Sequence, residues 1–374
     1  MHTQYDAIIV GAGVIGCSIA YNLSKRGRKV IVLERGKIAG KASSAAAGML
    51  GAQTELEEDS PLFQFAKASR AMFPQLEKDL KGLSGIDIEF QQNGIYKVAM
   101  TEEEVSRIQR LIPAQQELGE MSEWIPAAEL HVKEPALSKD TLGAMFIRND
   151  GQVSSPALTM AFATAATTLG AEIHEYTDVH HLIEENERIT GVKTNQGSFH
   201  ADHVIVAGGA WSEQLLQEAG VELPTYPVKG ECFSLKTKRR LVNGTIFSNE
   251  VYIVPKPGNQ LIIGATEKPG TFDESVTVEG ISSLMEKMQQ VVPAIKEAAW
   301  ERAWAGIRPQ SADSLPYMGT HPDKEGLYIA TGHYRNGILL APKTGELIAD
   351  LIDGKQVQDD WFSAFQTKRT SLHV

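Results

Sequence analysis

Two cysteines in 374 residues, Cys17 and Cys232, are too few for a disulfide framework, and a reducing cytoplasm is the expected compartment. No apolar run approaches the ~18–20 residues needed to cross a bilayer, so no membrane span is expected. Basic charge is also scarce: 36 Lys and Arg stand against 47 Asp and Glu, a net charge of −11. Nucleic acid and anionic membranes reward basic patches, and neither is expected as a partner. A strand-like run starts at Asp6, before a basic-then-apolar leader could fit, so a signal peptide is not expected either. Repeats and low-complexity tracts are absent, as are Ser-His-Asp and His-Glu metal patterns. His180 and His181 are neighbours in a strand-like run and would point to opposite faces, so no metal site is expected.

What is present is globular: 42% hydrophobic residues, 33 glycines and enough chain for two substantial cores. The start reads strand, turn, helix, strand: "DAIIV" (6–10), "VIGCSIAYNLSKRG" (14–27) closed by Gly27, and "KVIVLE" (29–34). Ser60-Pro61 reads as an N-cap with proline in the first turn of a helix that Pro74 should bend or end. "IDIEF" (86–90) and "GIYKVAM" (94–100) read as neighbouring strands, and Thr101 with Glu104 as a capping box. Helix–strand alternation resumes at 155–179 and 200–216, many strand-like runs follow between Val228 and Arg308, and "GLYIATG" with "GILLAPKTGELIADLI" ends the chain as strand, glycine, helix. These interleaved pieces predict two discontinuous domains. Residues 1–82, 145–224 and 310–374 would form an α/β Rossmann-type nucleotide-binding domain. Residues 83–144 and 225–309 would form a β-rich α+β substrate domain.

"GAGVIG" (11–16) fits G-x-G-x-x-G after a strand and at a helix start. Gly11 would make the tight turn, Gly13 would let a pyrophosphate approach the backbone, and Gly16 would let helix and strand pack closely. The helix N-terminus offers N–H donors and partial positive charge to that phosphate. Glu34, eighteen residues past Gly16, ends the second strand where an acid can take both ribose hydroxyls and disfavour a 2′-phosphate, despite Arg35. The fingerprint serves FAD and NAD alike. "SSAAAGM" (43–49) is a row of small residues that would let the backbone lie against a flat ligand, or else a tightly packed helix turn.

If the adenine half of FAD lies at Gly11–Gly16, the flavin ring needs another holder far along the chain. "ATGHYRNGILLAP" (330–342) has the form required: a strand, a loop of N–H donors and a helix starting near Asn336–Gly337. Its terminus would put partial positive charge by the ring edge that becomes negative on reduction, and Arg335 would add a full charge nearby. Arg308, before a proline at the end of a strand-like run, suits two-point binding of a carboxylate. Tyr252, alternating with Val254 on one strand face, could donate its hydroxyl to the same group.

Taken together, "GAGVIG", "LERG", "SSAAAGMLGA", "YPVKGEC", "YIVPK", "GATEKPG", "WAGIRP" and "GHYRNGILLAP" resemble the D-amino-acid oxidase-like FAD oxidoreductases, nearly end to end. The resemblance implies FAD lined by Val14, Ile15, Glu34, Arg35, Ala42, Ser43, Ala47, Gly48 and Met49, an adenine contact through the backbone of Val179, and a flavin ring wrapped by His333, Tyr334, Arg335, Asn336, Gly337, Ile338 and Leu339. Arg308 would clamp the substrate carboxylate, with Tyr252 assisting and Arg335 reaching the same site. The acidic stretch "TELEEDS" (54–60) would lie by the substrate entrance, as a lid or as a solvated loop. Relatives that tether FAD do so through a cysteine after the strand arginine. Here "PQSADSLPYMGTHP" (309–322) has none, which implies non-covalent FAD.

The implied reaction is oxidation of glycine, sarcosine and small D-amino acids by hydride transfer to flavin N5, with dioxygen as the second partner. From glycine it gives glyoxylate, ammonia and hydrogen peroxide. The implied use is supply of glycine imine for the thiazole of thiamine, and relatives imply a homotetramer. The alternative is a same-fold flavin dehydrogenase of a small 2-hydroxy acid that passes electrons to a quinone.

Overall fold

The computed structural model describes residues 5–248, 250–357 and 360–369. Strand Tyr5–Val10 lies at the centre of an eight-stranded sheet. It pairs in parallel with Val30–Leu33 on one side and Gly197–Val206 on the other, and the latter pairs in parallel with Lys324–Thr331. Glu172–His174 extends the parallel run beyond Val30–Leu33. Such strands are covered on both faces, which is why "DAIIV" and "VIVL" are continuous apolar runs rather than alternating ones. Helix Val14–Lys25, helix Ser155–Thr168 and the last long helix, Gly337–Ile352, pack on one face.

Helix Pro61–Ser84 is capped as expected, with the Ser60 hydroxyl accepting from Phe63 N–H at 3.1 Å. Pro74 neither ends nor splits it. The apolar face carrying Phe65, Ala66, Phe73, Leu76 and Leu80 is buried, and Ser69 donates to the Leu339 carbonyl at 2.7 Å. Packing on that face outweighs the single backbone hydrogen bond that proline removes.

A nine-stranded sheet makes the second layer, drawing strands from 95–147 and 225–311. Strand Gly143–Ile147 runs across the expected boundary at 144/145, and Ala299–Ser311 runs past the one at 309/310. A strand ends where its ladder partners end, not where composition changes. Residues 86–90 are irregular rather than a strand, with Glu89 in the left-handed region at φ 55°; their backbone reaches the neighbouring segment through Ser154 N–H to the Ile88 carbonyl at 2.8 Å. The Thr101–Glu104 capping box forms as expected.

Strand Tyr252–Lys256 ends against a two-stranded ribbon, Met49–Leu50 with Gly151–Gln152. Lys256 Nζ donates to the Val153 carbonyl at 2.8 Å, and burial pushes its ammonium from 10.5 down to about 7. Its folded-state pKa lies below the unfolded one, so between those values the unfolded chain binds the extra proton and stability rises with pH. Between pH 7 and 9 the wild type should gain roughly 2 kcal/mol of unfolding free energy over Lys256→Met. Denaturant titrations of both proteins with excess cofactor test this, and parallel pH profiles would refute it.

Candidate functional site

A continuous cavity of about 610 Å³ runs between the two layers. Its lining joins both ends of the chain: Gly11, Gly13 and Glu34 at one extreme, Tyr252, Arg308 and Arg335 at the other.

At the fingerprint end the three glycines differ in what surrounds them. Gly11 has φ +106°, and a Cβ there would lie 2.6 Å from the Ala207 carbonyl oxygen. A Cβ at Gly16 would lie 1.9 Å from the Gly11 carbonyl oxygen, so that glycine serves strand–helix packing, and Gly16 does not line the cavity. Gly13 alone has an ordinary φ of −75° and a Cβ direction that meets only the Ser43 hydroxyl, at 3.2 Å. Ser43 accepts from Val14 N–H at 2.9 Å, so the small-residue segment is bonded to the helix start. Val14 and Ile15 follow on the wall. The Glu34 carboxylate accepts from Ala12 N–H and from Gly36 N–H, each at 2.8 Å. It therefore ties the turn to the second strand, and its remaining lone pairs are available to a ligand. Arg35 stacks on Trp211, 4.1 Å from the ring centroid.

Ala42, Ser43, Ala47, Gly48 and Met49 line the middle of the cavity, and Val179 lines it beside Thr177 and Asp178. Gly48 is in the left-handed region, φ +85°, where a Cβ would strike the Val153 carbonyl oxygen at 2.0 Å. That turn carries the chain from the short helix Ala42–Ala45 into the ribbon.

At the far end, strand Lys324–Thr331 leads through a 3₁₀ turn, Tyr334–Asn336, into helix Gly337–Ile352. His333, Tyr334, Arg335, Asn336, Gly337 and Ile338 line the cavity, whereas Leu339 is buried in the core under helix Pro61–Ser84. His333 Nε2 lies 3.1 Å from the Thr344 hydroxyl, and burial lowers its pKa to about 3, so the imidazole is neutral. Arg335 pairs with Glu55 at 3.1 Å and stands 3.9 Å from Glu267, whose carboxylate also accepts from the Tyr334 hydroxyl at 2.5 Å.

Glu55 belongs to the acidic stretch after Gly51, and that stretch is well anchored. Thr54 donates from its N–H and its hydroxyl to Asp150 at 2.9 and 2.7 Å, and Asp150 is paired with the buried Arg70 at 2.5 Å. Glu57 is paired with Lys97 and Arg107.

Arg308 stands inside strand Ala299–Ser311, across the ladder from Val228. Its guanidinium lies over Gly230, where a Cβ would sit 2.4 Å from both terminal nitrogens, and it donates to the Thr266 carbonyl at 3.2 Å. Among the described residues it has no ion pair. The Tyr252 hydroxyl lies 3.5 Å from Cys232 Sγ, and burial pushes it well above the ordinary phenol value. A Cβ at Gly264 would lie 2.4 Å from that hydroxyl.

Trp211, Gly230, Cys232 and Glu267 were not legible as site residues, whereas Glu55 falls in the acidic stretch expected beside the substrate entrance. The glycine pair before Trp211 and the glycine in "VKGEC" were the available signals. Both cysteines are free and buried, but Cys232 lines the cavity while Cys17 does not. Among the described residues there is no cluster of three or more metal-ligating side chains, and no helix is long and apolar enough to cross a membrane.

Residues 6–351 match the model of the DAO family, FAD dependent oxidoreductase. A glycine oxidase of Geobacillus kaustophilus is 45% identical over 362 residues, 96% of each chain. A crystal structure of glycine oxidase from Geobacillus kaustophilus covers 99% of this chain and all of that one at 44% identity, with a TM-score of 0.96. A bifunctional protein ThiO/ThiG of Trichormus variabilis is 34% identical over 97% of this chain and 55% of its own length.

Proposed function

The chain belongs to the DAO family of FAD dependent oxidoreductases, and from that premise we propose an amino-acid oxidase that converts glycine, sarcosine and small D-amino acids. The observation that carries this reading is the placing of Arg308, a guanidinium without a carboxylate partner among the described residues, in the same cavity as the fingerprint.

The cavity fits FAD by its own features. Gly13 is the fingerprint position where a side chain would enter ligand space, and the Val14 helix start faces it. Bound FAD supplies a two-electron acceptor for hydride from the substrate α-carbon, restored by dioxygen with release of hydrogen peroxide.

Arg308 holds the substrate carboxylate, and Tyr252, kept protonated by burial, donates its hydroxyl to the same group. The start of helix Gly337–Ile352 lends partial positive charge to the ring end, and neutral His333 adds no competing charge there. No side-chain base is required, because the lone pair of a neutral amine drives hydride departure. Positioning and electrostatics carry the rate. Water then hydrolyses the imine, giving glyoxylate and ammonia from glycine. FAD is held without a covalent bond: Cys17 is turned to the Ala12 carbonyl and Cys232 to Tyr252.

In this reading segments 1–82, 148–224 and 312–374 hold FAD, and 83–147 with 225–311, carried to the strand ends at Ile147 and Ser311, hold the substrate. Likeness to ThiO/ThiG supports supply of glycine imine to the thiazole of thiamine as the use of the reaction. A cytoplasmic homotetramer belongs to the same proposal.

Peroxide release under air across glycine, sarcosine, D-alanine and D-proline is the test. Glycine and sarcosine should be oxidised with equimolar peroxide. No peroxide with glycine, together with quinone-dependent turnover of a 2-hydroxy acid, would overturn the reading.

A further inference from the structure

Arg308 and Arg335 border the same cavity, but their charges are treated differently. Arg308 is unpaired among the described residues, whereas Arg335 faces two carboxylates. Glu55 holds it through Oε2 at 3.1 Å from Nε and Oε1 at 3.2 Å from Nη2, and Glu267 Oε2 lies 3.9 Å from Nη1. Glu55 is nearly enclosed, 13% exposed, and lines the cavity; Glu267, 56% exposed, is not part of the lining but lies against Arg335 and Tyr334, which are. Glu267 also directly follows Thr266, whose carbonyl oxygen receives the Arg308 guanidinium. Thr266 is pinned in turn to Glu231, its N–H donating to the Glu231 carbonyl at 3.2 Å and its hydroxyl accepting from Glu231 N–H at 2.9 Å. One short segment therefore sets the surroundings of both arginines.

We infer that Glu55 and Glu267 are specificity-determining residues that mask Arg335 as a second anion site, so that the pocket takes substrates with one carboxylate and turns away those with two. This deepens the oxidase reading and rests on it. Among the described cationic residues lining the cavity, Arg35 and Lys41 stand over Trp211, so with the first carboxylate on Arg308 a second anionic group at this end has Arg335 as its cationic partner. To reach it the group must displace Glu55, leaving an enclosed carboxylate unpaired, or approach Glu267 as a like charge. Once the first substrate carboxylate has neutralised Arg308, two protein carboxylates against the one remaining guanidinium leave the surroundings of Arg335 net negative. Zwitterions with one carboxylate do not meet this barrier. The selectivity comes from repulsion of the wrong substrate rather than from an added contact to the right one.

The test compares kcat/KM for iminodiacetate, an N-substituted glycine with an extra carboxylate, with that for sarcosine. It uses the flavin-loaded wild type, Glu267→Gln, Glu55→Gln and the double variant. The iminodiacetate-to-sarcosine ratio should rise by about 3- to 10-fold in Glu267→Gln, and by about 10- to 100-fold in the double variant. In the wild type, raising ionic strength should lift the ratio, because the exposed Glu267 charge is screened. An unchanged ratio in Glu267→Gln, with sarcosine turnover and flavin content intact, overturns the inference. That exposed substitution decides the matter even where Glu55→Gln fails to fold. Failure of the wild type to oxidise sarcosine would instead sink the oxidase reading.

Discussion

Arg308→Ala is expected to leave the protein yellow and to raise KM for glycine about 30- to 4,000-fold, the equivalent of ~2–5 kcal/mol. The size follows from the surroundings of the guanidinium. Strand Ala299–Ser311 fixes its backbone, Gly230 gives it a flat floor, and among the described residues its guanidinium donates to the Thr266 carbonyl. Without it, a substrate carboxylate would enter an end of the cavity flanked by Glu55 and Glu267, with Arg335 already engaged by both. Arg308→Lys should recover only part of the loss. An ammonium restores the charge but not the planar fork that grips both carboxylate oxygens. Steady-state kinetics with glycine, alongside the flavin absorbance of each variant, test this. A KM unchanged in Arg308→Ala would remove the clamp.

The fingerprint glycines should separate into two phenotypes. Gly16→Val should cost more than ~3 kcal/mol and yield little soluble protein, because its Cβ would lie 1.9 Å from a backbone oxygen with no room to move. Gly13→Val should instead give a folded but colourless protein. Its backbone is in an ordinary conformation and its side chain points toward the cavity past Ser43, where a hydroxyl can shift by a few tenths of an ångström. Circular dichroism reports the fold and the flavin-to-protein absorbance ratio reports the cofactor. Full FAD loading of soluble Gly13→Val would contradict the pyrophosphate role. A normally stable Gly16→Val would contradict the packing role.

The legible parts of this protein are those governed by local rules. A strand, a tight glycine turn and a helix start need only about a dozen residues, so the dinucleotide end could be placed from "DAIIVGAGVIG" and Glu34. Caps at Ser60 and Thr101 were equally local. Where a rule depends on a partner elsewhere, reading by pattern fails. Residues 86–90 have the composition of a strand but lack a ladder partner, and Pro74 sits inside a helix that continues past it to Ser84 on a buried face.

Sequence alone determined the α/β class and the strand–glycine–helix turn, and it supplied the residue types, two arginines and a tyrosine, from which the proposed substrate site is built. Each of these follows from short-range geometry or from the chemistry of one side chain. Only the tertiary structure decided that the two arginines are not equivalent. The carboxylates that occupy Arg335 come from positions 280 and 68 residues away in the chain, Glu55 and Glu267, while none of the described residues pairs with Arg308. Ion pairing depends on distance in space, and no period or motif along a chain encodes which distant charges will meet across a folded cavity.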